Sequence, residues 1–169
     1  NLRFHPLIQL IKEKIHNRKL WNINVFCGSY LPDWRPSRNY WETSSAKKDD
    51  GGGVLLDLSH ELDYVQWLCG KMTPEYVRNE KVSDLKVETD DLLLLAGRME
   101  NGAHIHITLN YFTHQPIRRL IIDGEGISIQ ANLINNTVTI YEDGESSNYS
   151  WPEFGRDASY QAEHEAILS

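Results

Sequence analysis

The sequence predicts an α+β domain built on an open, mostly antiparallel sheet of about six strands with helices on one face. Three observations carry this expectation. Apolar residues recur at helical spacing near the start and around residue 60. From Glu75 onward, short runs rich in β-branched residues follow one another. The later runs are separated by "ENG", "DGEG" and "INN", hairpin-type breaks too short for parallel crossovers. At 169 residues and 40% hydrophobic content, the chain suits one domain with its own core.

The elements follow in order. "NLRFHPLIQLIKEKI" enters a helix almost at once, with Pro6 suited to a first turn and Leu7, Leu10, Ile11 and Ile15 on one stripe. "WNINVFCGSY", Trp21 to Tyr30, reads as a strand, and "LPDWRPSRNYWETSSAKKDD" after it as a long polar loop with two prolines. "GGGVLLDLSHELDYVQWLCG", Gly51 to Gly70, reads as a helix of about five turns. Strands are then expected at "EYVRNEKV", "DLLLLAGRM", "AHIHITLNYF", "IRRLIIDG", "GISIQANL" and "TVTIYEDG". "RDASYQAEHEAILS" begins a last helix, with Asp157 as N-cap and Tyr160, Glu163 and Ile167 on one stripe. Both ends read as cut, so the chain is expected to belong to a longer protein.

Composition excludes several classes. Seventeen basic against 24 acidic residues give a net charge of −7 with no basic block, which disfavours nucleic acid and anionic membranes. No apolar run approaches the ~20 residues needed to span a bilayer. Cys27 and Cys69 lack framework spacing and read as reduced thiols, hence a cytoplasmic protein.

The glycine-led helix carries the candidate chemistry. On a wheel, Leu55, Leu58, Leu62, Val65 and Cys69 gather on one side and Asp57, His60, Glu61 and Tyr64 on the other. Asp57 is placed to complement the helix N-terminus, and Gly51 to Gly53 let another backbone or a ligand approach it. The spacing fits an acid/base pair, since imidazole titrates near neutral pH. It also fits an aspartate answering the dipole beside a solvated histidine, a pairing common on helices. In the loop, Trp34, Arg35 and Tyr40 suit stacking on and hydrogen bonding to a polyol, and equally suit anchoring of the loop. Lys47 and Lys48 read as solvated charges. His104 and His106 share one strand face, but no third ligand is signalled nearby, so no metal site is expected.

The glycine-led segment, taken with "NLRFHP" before it and "SYLPDWRP" between, resembles the C-terminal domain of the Gfo/Idh/MocA oxidoreductases over nearly the whole chain. The resemblance implies a dihydrodipicolinate reductase-like C-terminal domain spanning 1–169, which binds substrate and oligomerises, with the Rossmann domain lying outside this chain. It implies NAD or NADP in the intact protein, none bound by this part alone, and oxidation of a CH–OH group on a sugar, polyol or related derivative. His60 would be the general acid/base and Asp57 its helper. Many members space that pair four apart, whereas here it is three apart. Trp34, Arg35, Tyr40, Tyr64 and Tyr160 would contact substrate. The outer sheet face, with His104, His106, Thr108 and Asn110, would form a homodimer or larger assembly. No Gly-rich dinucleotide fingerprint and no Glu-Lys-Pro motif is present, so the cofactor site and the family's catalytic lysine are not in this chain. A non-catalytic binding or assembly module on the same scaffold is the alternative.

Overall fold

The computed structural model describes residues 1–155 together with Tyr160, Glu163 and His164. Helix α1, Pro6–Lys14, starts with Pro6 at its first position and with the His5 ring accepting the Leu7 N–H at 3.1 Å. Its Leu7, Ile8 and Ile11 are fully buried. Strand β1, Leu20–Gly28, follows. After it the chain folds through three short 3-10 turns, Leu31–Trp34, Tyr40–Glu42 and Ser44–Ala46.

The stretch expected as one helix is two. Helix α2, Val54–Asp57, and helix α3, His60–Cys69, are separated by Leu58 and Ser59, with Leu58 at φ −107°, ψ 17°. The Ser59 hydroxyl donates to the Leu56 carbonyl at 2.8 Å, an alternative to the helical ladder that serine offers. Asp57 therefore ends α2. The acidic residue at the α2 N-terminus is Asp90, whose backbone carbonyl accepts the Val54 N–H at 3.1 Å and whose carboxylate accepts the Leu55 N–H at 3.0 Å. Of the glycines before α2, Gly52 admits backbone: a Cβ there would lie 2.1 Å from the Ser44 carbonyl oxygen.

The remaining strands are β2 (Met72–Glu80), β3 (Leu92–Met99), β4 (His104–Asn110), β5 (Ile117–Gly124), β6 (Ile127–Asn132), β7 (Thr137–Glu142) and β8 (Glu145–Ser150). They form one open eight-stranded sheet in the order β2-β3-β4-β1-β5-β6-β7-β8. Only the central β1–β4 pairing is parallel; every other is antiparallel. The count exceeds the expected six in part because of β8, "ESSNYS", which carries no apolar alternation and is exposed throughout. It pairs with β7 through a tight turn at Asp143 (φ 52°) and Gly144 (φ 88°).

Alternation sets the layers. Ile23, Val25, Leu93, Leu95, Ile105, Ile107, Leu120, Ile122, Ile129 and Ile140 join the buried residues of α1, α2 and α3 in one core. The opposite face presents Asn22, Asn24, Phe26, Leu94, His104, His106 and Ile121, all partly or well exposed. Asn110, at the end of the same alternation, is covered rather than exposed. It is 3% exposed, and its side-chain oxygen accepts the Phe112 N–H at 3.1 Å and the Thr113 N–H at 2.9 Å, shaping the turn after β4.

The final predicted helix falls on residues 156–169. Tyr160, Glu163 and His164 are helical; Asp157 and Ile167 lie outside the described residues.

Candidate active site

The sheet register assembles the site. In the β1–β5 ladder Cys27 lies opposite Arg118, and both flank the N-terminal end of α3, where His60 and Glu61 sit. The Glu61 carboxylate is fully buried. Its Oε1 accepts the Arg118 Nε–H at 2.8 Å, lies 2.5 Å from Arg118 Nη2 and lies 3.2 Å from His60 Nε2. Neighbours in sequence on a helix do not face one another. His60 reaches Glu61 because it is the first residue of α3, directly after the break.

Burial alone would raise the Glu61 carboxyl, but the hydrogen bond from His60 and the Arg118 charge outweigh it and hold the group below the ordinary carboxylate range. Burial, reinforced by the Glu61 charge, pushes the Tyr64 hydroxyl well up and the Cys27 thiol up to about 12. Glu61 Oε2 and the Tyr64 hydroxyl are buried without a hydrogen-bond partner among the described residues.

His60 separates two adjoining clefts. One, of about 530 Å³, is lined by Trp34, Arg35, Asp57, His60 and Arg118 among others. The second, of about 380 Å³, is lined by His5, His60, Arg118, Asn136 and Tyr160 among others. The His60 side chain is 39% exposed, so it is open to a ligand. Asp57 is held elsewhere: its Oδ2 accepts the Tyr111 hydroxyl at 2.6 Å. Tyr111 is fully buried and meets Trp34 edge to face, ring centroids 5.4 Å apart. The Trp34 indole N–H donates to the Ser29 hydroxyl at 2.8 Å. Ser29, Trp34, Tyr111 and Asp57 thus form one chain of contacts that shapes the wall of the larger cleft.

Of the residues singled out by sequence, His60, Asp57, Trp34 and Arg35 meet in one cleft, and Tyr160 lines the other. Tyr40 and Tyr64 line neither. Tyr40 turns away, its hydroxyl accepting the Lys86 N–H at 3.1 Å while its ring contacts Trp41. Tyr64 has no exposed surface to offer a substrate, since α3 starts at His60 and its phase turns Glu61 and Tyr64 inward, away from the polar side the wheel assigned them. Arg118 and Tyr111 carry no local signal that ties them to the site, because they lie 57 and 54 residues from Glu61 and Asp57 along the chain. Among the described residues no cluster of three His, Cys, Asp or Glu is placed to hold a metal ion, and no helix is long and apolar enough to cross a membrane.

The fold and its site define a class: an α+β domain with one open sheet and a histidine–carboxylate–arginine cluster where two clefts meet. The family model described as GFO/IDH/MocA C-terminal domain matches residues 8–130, and the chain belongs to that family. Among curated proteins nothing matches. Among solved structures, levoglucosan dehydrogenase in complex with NADH and levoglucosan is similar at TM-score 0.80 and 17% identity, over 96% of this chain and 53% of that one. UDP-N-acetylglucosamine 3-dehydrogenase GnnA from Acidithiobacillus ferrooxidans is similar at TM-score 0.69 and 20% identity, over 95% and 48%. The WlbA dehydrogenase from Bordetella pertussis, in complex with NADH and UDP-GlcNAcA, is similar at TM-score 0.66 and 18% identity, over 92% and 46%. The chain spans about half the length of each.

Proposed function

We propose that this chain is the substrate-binding and oligomerisation domain of an NAD- or NADP-dependent oxidoreductase that acts on a CH–OH group of a sugar, polyol or sugar derivative. The observation that carries the reading is His60: a partly exposed imidazole on the wall shared by two clefts, in a domain of this family. Its neighbours suit a polyol, with a tryptophan face and an arginine at Trp34 and Arg35 and a phenol at Tyr160.

In this reading the intact protein's nicotinamide supplies the hydride acceptor when bound. What this chain contributes is proton transfer and orientation. His60 accepts the hydroxyl proton of the alcohol as its carbinol carbon becomes a carbonyl, and returns it in the reverse direction. Asp57, fixed by Tyr111, accepts a substrate hydroxyl at the cleft wall, while Arg35 and Trp34 align the ring. The outer sheet face, with its exposed His104 and His106 beside Phe26, Leu94 and Ile121, is where copies of the protein meet.

The test uses the full-length protein with NAD+ or NADP+ and levoglucosan or UDP-N-acetylglucosamine as the alcohol, following the absorbance of the reduced nicotinamide. His60→Ala is expected to lower turnover about 10²–10⁴-fold with nucleotide affinity unchanged. Unchanged turnover in that variant would remove His60 from the chemistry. A full-length protein that binds no nicotinamide would instead support a non-catalytic assembly module.

A further inference from the structure

The aspartate expected to serve His60 is engaged by Tyr111, and the carboxylate at the imidazole is Glu61. We propose that Glu61, clamped by Arg118, is the positioning residue of His60: it holds the Nε2–H of the imidazole and leaves Nδ1 as the nitrogen that exchanges a proton with substrate. The inference rests on reading His60 as the proton-transfer residue.

Three observations carry it. Glu61 is the only one of the three side chains with no exposed surface; His60 is 39% and Arg118 23% exposed. A carboxylate so placed has one fixed position, and the group it holds inherits that position. Second, the contacts converge on a single oxygen: Arg118 Nε at 2.8 Å and His60 Nε2 at 3.2 Å both meet Oε1. Arg118 compensates the buried charge, which desolvation would otherwise neutralise, and its effect together with that of His60 keeps Glu61 ionised. An ionised carboxylate only accepts, so the imidazole nitrogen facing it must carry a proton. Third, the helix break makes the contact possible, because only a residue at the start of α3 can turn its ring back over its neighbour.

The arrangement has a chemical consequence. A neutral imidazole has one donor nitrogen and one acceptor nitrogen, and which is which is decided by the partner of the donor. With Nε2–H committed to Glu61, the basic lone pair is on Nδ1. When His60 takes the substrate proton, the resulting imidazolium is stabilised by the same carboxylate, and no group has to move to supply that charge.

The experiment reads the tautomer directly. Full-length protein carrying 15N-histidine is studied by long-range 1H–15N correlation above the ordinary imidazole pKa of ~6.5, with the His60 signals assigned by their loss in His60→Gln. A single fixed tautomer with the proton on Nε2 is expected for His60, against tautomer averaging at the exposed His104 and His106. In Glu61→Leu/Arg118→Met, which removes both buried charges together so that neither is left unpaired, the fixed pattern should be lost and His60 should average like the exposed histidines. Should that variant not fold, Glu61→Gln tests the same contact: replacing a charge-assisted bond with a neutral one should speed exchange of the Nε2–H with water roughly tenfold. Averaging at His60 in the wild type, a proton fixed on Nδ1, or a pattern and exchange rate indifferent to Glu61 each overturns the proposal. None of these readouts depends on turnover, so the kinetics of His60→Ala decide the acid/base reading separately.

Discussion

Asp57 and Tyr111 are joined by a 2.6 Å hydrogen bond between the carboxylate and a fully buried phenol. This bond ties the end of α2 to the residue just after β4 and so fixes a wall of the cleft beside His60. Tyr111 also carries Trp34 on its ring, so one side chain sets both the acidic and the aromatic wall.

Removing that hydroxyl has a predictable cost. Tyr111→Phe keeps the ring against Trp34 but strips Asp57 of its donor, and a hydrogen bond to a charged group contributes about 1.5–3 kcal/mol. Urea unfolding should show a lower midpoint with an unchanged slope. A midpoint equal to the wild type would mean that Asp57 finds solvent or another donor at no cost.

Burial separates the ion pairs. Arg118→Met leaves the Glu61 carboxylate buried with only the His60 imidazole beside it and should destabilise the domain by about 3–5 kcal/mol. Arg3→Met breaks an exposed pair with Asp63 and should cost less than about 1 kcal/mol. Chemical denaturation of the two variants side by side checks the contrast.

Alkaline pH should weaken the fold through its two thiols. Burial pushes Cys27 and Cys69 up to about 12, while the same thiols in an unfolded chain ionise near ~8.5. Above that value the unfolded chain binds fewer protons than the native one, so stability is fully present below pH ~8.5 and falls as pH rises toward 12, by up to about 1.4 kcal/mol per pH unit for each thiol. Stability measured from pH 8 to pH 11 should decline less steeply in Cys27→Ala/Cys69→Ala than in the wild type; parallel curves would show that the thiols are not responsible.

Close backbone approach makes a side chain at Gly52 costly. A Cβ there would meet the Ser44 and Ser45 carbonyl oxygens at 2.1 and 2.6 Å, whereas one on Gly155 would meet nothing within 4 Å. Gly52→Ala should cost about 1–3 kcal/mol or more, and Gly155→Ala should leave thermal unfolding almost unchanged.

Association through the open sheet face is tested by charge. Ile121 lies beside Asn24 and Gln130 on that face, and Ile121→Lys adds a cation where an apolar contact is expected. In sedimentation the full-length wild type should run as a dimer or larger assembly and the variant as a smaller species. A wild type that stays monomeric across a wide concentration range would remove the face from assembly.

Local pattern determined much of this protein by itself. Strand β5 occupies the residues of "IRRLIIDG", and the alternation in "AHIHITLNY" places Ile105, Ile107 and Leu109 in the core and His104 and His106 outside it, because side chains of a strand alternate whatever the strand pairs with. Short turns likewise fixed the antiparallel order of the later strands. Strand β8 is not legible in the sequence: five of its six exposed residues are polar, Tyr149 alone makes no alternation, and its place comes from the ladder offered by β7. The site was legible only in part. His60 stood out by residue type and setting, but its partner depended on two tertiary facts. The helix breaks just before it, which a continuous wheel cannot show, and the β1–β5 register brings Arg118 from 57 residues away onto Glu61. Which carboxylate faces the imidazole is decided by that long-range pairing of a buried charge with its counter-ion, a relation between residues that no local period encodes.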